Sequence, residues 1–200
     1  GGIAYNTPGG AHYFDYEFYQ APINFTVPAS GTVPFLNSGA DEGHTAWRFD
    51  ATGNVIKAGD LIVAIGYGNG GLSSVEIRIW VSKTTYQNVT PAKFAWGGDF
   101  DQIHNSRTYG YAKIQIPPGA MHFAINSGSA NIPCGPWGFP ASGTVINNYY
   151  SQYQLFEFAL NFSALGIDPG KIAGQDPCSP PFSKLLVKSR VGNGFNADLK

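Results

Sequence analysis

The feature that most constrains this chain is a hydrophobic period of two that runs almost from end to end. Tyr13 to Gln20 alternates, with Phe14, Tyr16 and Phe18 on one face and Asp15, Glu17 and Tyr19 on the other. Ile23, Phe25 and Val27 repeat the pattern until Pro28 stops it. Successive strand side chains point to opposite faces, so such runs read as half-buried strands. The apolar, β-branched runs Leu61 to Tyr67 and Val75 to Val81 flank Gly68-Asn69-Gly70-Gly71, the strongest hairpin signal in the chain. Ile77 and Ile79 then face one side, with Glu76, Arg78 and Trp80 on the other. Ala46-Trp47-Arg48-Phe49, Tyr109 to Ile116, Met121 to Ile125, Tyr153 to Phe162, Leu185-Leu186-Val187, and Phe195, Ala197 and Leu199 supply further strands. Helical spacing is confined to Ser163-Ala164-Leu165-Gly166, a single turn capped by Ser163 and stopped by Gly166.

Short strands between Gly/Pro turns predict an all-β fold: a single-domain antiparallel β-sandwich of jelly-roll type over residues 11–200. Residues 1–10 lack alternation and are predicted to form an extended N-terminal arm. Ile3, Ala4 and Tyr5 are its apolar contacts. The Gly- and Pro-rich stretch from Gly128 to Gly143 reads as a long surface loop. A chain of 200 residues is long enough to bury a sizeable core.

Charge narrows the partners. Charged residues make up 12% of the chain and net charge is −1, against about 25% charged residues in ordinary soluble domains. With no basic stripe to neutralise phosphates, nucleic-acid binding is not expected, nor docking on an anionic membrane. No apolar stretch approaches the ~20 residues of a membrane-spanning helix. The chain opens Gly1-Gly2-Ile3-Ala4, without a basic segment or an apolar signal core. It reads as a secreted, mature form from which an export signal has been removed. Cys134 and Cys178 both sit in Pro-rich turns, which favours a disulfide between them over two buried thiols. Asn24, Asn88 and Asn161 open glycosylation sequons, close to what composition gives by chance.

No catalytic signature stands out. There is no Gly-x-Ser-x-Gly elbow, no zinc spacing and no phosphate loop, and His12, His44, His104 and His122 lie far apart. Glu17, Glu76 and Glu157 sit mid-strand on polar faces. Two of them across a groove would suit glycoside hydrolysis, but solvated outward positions are the simpler reading. Asp41-Glu42 and Asp99-Phe100-Asp101 offer oxygen donors of the kind calcium takes in loops, against the simpler reading of solvated turns, and no other cofactor is expected.

Aromatic residues carry more weight. Phe, Tyr and Trp total 29, from 14, 11 and 4, more than one core requires. Tyr5, Tyr13, Tyr19, Tyr67, Trp80, Trp96, Trp137, Tyr149 and Tyr150 are candidates for exposure, as glycan platforms or interface anchors. Three stretches resemble modules in large secreted bacterial surface proteins of unassigned function. They are Tyr16-Glu17-Phe18-Tyr19-Gln20, the run His44 to Tyr67 around Gly59-Asp60-Leu61-Ile62-Val63, and Phe182 to Arg190 leading to Phe195 to Lys200. Together they span roughly a third of the chain. Val191-Gly192 stands where two serines commonly follow in those modules. The resemblance implies an extracellular β-domain and no particular activity. The chain is thus expected to be a non-catalytic extracellular structural protein that assembles with copies of itself through its arm. A carbohydrate-binding module that recognises polysaccharide is the alternative, and a glycoside-acting enzyme a distant third.

Overall fold

The structure is a computed structural model that describes residues 1–6, 10–20, 23–25, 35–68, 71–101, 107–140, 146–168, 182 and 184–195. In chain order its elements are β1 (Gly2–Ala4), β2 (His12–Tyr19), β3 (Ile23–Phe25), β4 (Phe35–Asn37), β5 (Arg48–Phe49), β6 (Val55–Lys57), β7 (Leu61–Gly68) and β8 (Gly71–Ser82). A short helix α1 (Lys83–Asn88) follows, then β9 (Ala95–Asp101), β10 (Tyr109–Gln115), β11 (Met121–Ile125), β12 (Ile132–Pro133) and β13 (Phe139–Pro140). The last are β14 (Ile146–Asn147), β15 (Tyr149–Tyr150), β16 (Leu155–Leu160) and β17 (Lys184–Arg190).

Six strands form one antiparallel sheet in the order β17-β2-β7-β8-β10-β9, and three form a second, β1-β16-β11. The protein is an all-β sandwich. Among the described residues its two larger sheets hold six and three strands. Between the sheets lie Phe14, Leu61, Val63, Ile65, Ile77, Ile79, Phe156 and Phe158. Ring centroids of Phe14 and Phe156 are 5.9 Å apart, and those of Tyr16 and Phe158 4.8 Å. Each such side chain contributes about 1.5–3 kcal/mol by leaving water. The β7–β8 hairpin keeps the expected facing: Ile77 and Ile79 point into this core, and Arg78 and Trp80 to the other side of the sheet.

Several expectations are corrected. The N-terminal segment is not a free arm, because β1 is a strand of the protein's own small sheet. Gly2 pairs with Glu157, Ile3 with Phe156 and Ala4 with Leu155. The Gly1 ammonium donates to the Phe158 carbonyl and the Tyr5 amide to that of Gln154. Ile3 and Tyr5 pack on the core. Three residues are too few to display alternation, so the pattern hid a strand.

The turn at Phe162–Leu165 is 3-10, capped by Asn161 rather than Ser163, with Gly166 left-handed as expected. Helix α1 was not legible because it buries no side chain and so has no apolar stripe; the Ser82 hydroxyl caps it at the Thr85 amide, 3.0 Å. Gly97 and Gly98 likewise disguised β9. Cys134 is half-buried, forms no disulfide among the described residues, and its thiol donates to the Asn147 carbonyl. Its expected partner Cys178 lies outside the described residues, as do Ala197 and Leu199 of the expected last strand.

Candidate functional site

Two features of the surface are built with unusual chemistry. The first is the face of the six-stranded sheet turned away from the core. Alternation on β2 places Asp15, Glu17 and Tyr19 there, opposite Lys188, Leu186 and Lys184 of β17. These carboxylates are not solvated, as the alternation alone suggested; Asp15 is 1% exposed and Glu17 is buried. Glu17 accepts from the Tyr19 hydroxyl and pairs with Lys188. Asp15 accepts from the Arg190 Nε at 3.0 Å. Burial pushes the Asp15 carboxyl up to about 6, against the downward pull of Arg190 and Lys188.

Toward β8 and β10 the same face carries Ile62, Ala64, Trp80 and Tyr111, with Ala46 packed on them. Asp60 anchors the loop that covers this patch. One of its oxygens accepts the Gln20 amide at 2.8 Å; the other faces His44 Nδ1 at 2.9 Å and the Thr45 amide at 3.2 Å. Gly59 lets that loop approach, since a Cβ there would collide with the Thr45 carbonyl. His44 lies over Trp80, 4.1 Å between centroids, and 3.4 Å from the Tyr111 hydroxyl. Burial raises the Tyr111 phenol well above its ordinary value, and the Glu17, Asp60 and Asp15 carboxylates add to it. The His–Asp pair thus fastens a loop to the sheet.

The second feature is the excursion between the adjacent strands β11 and β16. Residues 126–154 contain no Asp, Glu, Lys, Arg or His. Two small ladders, β12 with β15 and β13 with β14, give the excursion its shape, and Phe139 packs edge-on against Tyr150. Gly135 and Gly138 are both left-handed, with φ of 85° and 69°, and bracket a turn that holds Trp137 outward. Trp137 is 88% exposed, and Ile132, Ile146 and Tyr149 of the same excursion are exposed as well.

The other predicted site residues fall elsewhere. Tyr19, Tyr67 and Trp80 are buried and are not surface platforms; Tyr67 stacks on Phe156 inside the sandwich. Trp96 is partly buried against the core, and its indole donates to the Val89 carbonyl. Glu157 lies on the small sheet, opposite Gly2, so it cannot join Glu17 or Glu76. Glu76 is occupied by Arg78 and Lys113, whose combined pull outweighs burial and lowers its carboxyl. Asp41 pairs with Arg48 and accepts the Ala46 amide; Glu42 takes the Thr108 amide and hydroxyl; Asp99 pairs with Arg78. Asp101 sits at the end of β9, opposite Tyr111. Among the described residues no three His, Cys, Asp or Glu side chains gather as metal ligands. An open cleft of about 560 Å³ between Asp50, Asn54, Ile56, Lys93 and Ser163 includes none of the predicted aromatics in its described lining. No helix among the described residues is long and apolar enough to cross a membrane. No protein-family model, curated protein or solved structure matches this chain.

Proposed function

We propose that this protein is a non-catalytic extracellular module that binds neutral polysaccharide through the excursion at residues 126–154. The observation that carries the reading is Trp137, held 88% exposed by two left-handed glycines on an uncharged projection. A large apolar ring left in water on a structured turn is poised for contact. Sugar rings offer C–H faces to an indole and hydroxyls to amides, and Asn147 and Asn148 lie against the turn. An ionic partner would find nothing to pair with there. Affinity electrophoresis through a panel of neutral and charged polysaccharides tests this. Retardation is expected by at least one neutral polymer, and Trp137→Ala is expected to weaken it about tenfold or more. No retardation by any polymer overturns the reading.

Self-association is the second reading, and a different observation now favours it. Among the described residues β1 and β17 each end one of the two larger sheets, and Leu185 and Val187 of β17 and the following Val191 are exposed. An extended segment of a second copy could add there by main-chain hydrogen bonds and continue as a filament. Sedimentation velocity over a wide concentration range decides it. A monomer throughout removes this reading.

A further inference from the structure

We propose that residues 191–195 form an acid-released clasp over the ionised face of the six-stranded sheet, held shut by Arg190. The clasp leaves β17 without forming a strand and crosses the sheet by a few contacts. Asn193 accepts the Ser74 hydroxyl at 2.8 Å, and Phe195 lies on the Arg78 guanidinium, whose Cζ is 4.2 Å from the ring centroid, and edge-on to Tyr111. Its root is Arg190, 3% exposed. The Nε of Arg190 donates to Asp15, while Nη1 donates to the Gly192 carbonyl at 3.0 Å and the Gly194 carbonyl at 2.7 Å. One buried cation therefore serves both the carboxylate beneath it and the chain above it.

The groups facing Asp15 are Arg190 and Lys188 from β17, Glu17 on its own strand and the Tyr111 phenol from β10. Its cross-strand neighbour on β7 is Ala64, with Glu76 beyond it on β8. Burial favours the neutral form of Asp15 and raises it to about 6. Once Asp15 is protonated, Arg190 is a buried cation without a counter-charge, and water solvates it better than the sheet does. Arg190 then turns outward and the two carbonyls go with it. Lys188 keeps its pair with Glu17, and the register from Lys184 to Ser189 keeps β17 on β2. Release is thus confined to the clasp, and it uncovers Arg78 and Tyr111.

Hydrogen–deuterium exchange of the intact protein from about pH 7.5 to about pH 4.5, corrected for intrinsic exchange, tests the clasp. Protection of the amides at 191–195 is expected to fall about tenfold or more with a midpoint near pH 6, while β7 and β8 stay protected. Asp15→Asn is expected to leave the clasp open at every pH. Clasp protection that stays constant in the wild type overturns the proposal, as does a wild-type response retained in Asp15→Asn. Protection of β7 and β8 reports in the same run whether that variant folds, and the wild-type titration decides by itself if it does not.

Discussion

Asp60 illustrates how one residue can hold two parts of a sandwich together. Its side chain satisfies two main-chain amides and His44, and its carbonyl accepts from the Trp80 amide and the Trp47 indole. Asp60→Ala leaves the carbonyl bonds in place but strands the Gln20 and Thr45 amides and His44, each at about 1–3 kcal/mol. Chemical denaturation is expected to show a loss of about 3 kcal/mol or more. The Tyr16 and Tyr67 hydroxyls are the opposite case. Both are buried without a hydrogen-bond partner among the described residues, and burial pushes both phenols up, Tyr16 to about 12. Tyr67→Phe removes a desolvated hydroxyl and keeps the ring. It is expected to be neutral or stabilising by up to about 1 kcal/mol in the same assay. A loss of more than about 1 kcal/mol would show that the hydroxyl is satisfied.

At the scale of elements, β1 is the segment whose role changed most. Its three pairs to β16, with the Gly1 and Tyr5 hydrogen bonds on either side, close one edge of the small sheet. Deleting residues 1–5 exposes Phe156 and Phe158 and unpairs that edge. The truncated protein is expected to lose stability and to associate more, not less, read by thermal unfolding and sedimentation together. The excursion at 126–154 depends on its turn. Gly138 is left-handed, and a Cβ there would run into Ile146. Gly138→Val is expected to weaken polysaccharide retardation about as much as Trp137→Ala does, with the sandwich still folded by circular dichroism, because the strain falls on the projection alone.

For the whole molecule, the pH effect that falls closest to neutrality comes from Asp15. Its folded value, about 6, lies above the ordinary 3.8, so the folded protein holds this proton more tightly than the unfolded chain does. The stability it contributes is complete below about 3.8 and is lost as pH rises through about 6. Glu76 runs the other way: its lowered carboxyl stabilises above its ordinary value of 4.5, and that contribution is lost as pH falls through its folded value. Thermal unfolding from about pH 4.5 to about pH 7.5 is expected to show a downward slope that Asp15→Asn removes. An unchanged slope in that variant would assign the effect to another group.

The all-β class, the β7–β8 hairpin and the facing of Ile77 and Ile79 were legible from residue order, because strand facing is a local property with a period of two. So was the outward turn at Trp137, where Gly, Pro and Trp stand together. The sequence could not say which polar faces are solvated. Asp15 and Glu17 fall on the polar face of the alternation, and only the loop around His44 and the segment 191–195, brought over that face by contacts distant in sequence, place them in a dry site. The one local hint was opposite charge at matched spacing, Asp15 and Glu17 against Lys188 and Arg190, and its meaning required the pairing of β2 with β17. The same holds for Tyr19, Tyr67 and Trp80, whose rings are covered by segments elsewhere in the chain. Burial depends on what lies above a residue, and in a sandwich that is decided by which sheets and loops close over it.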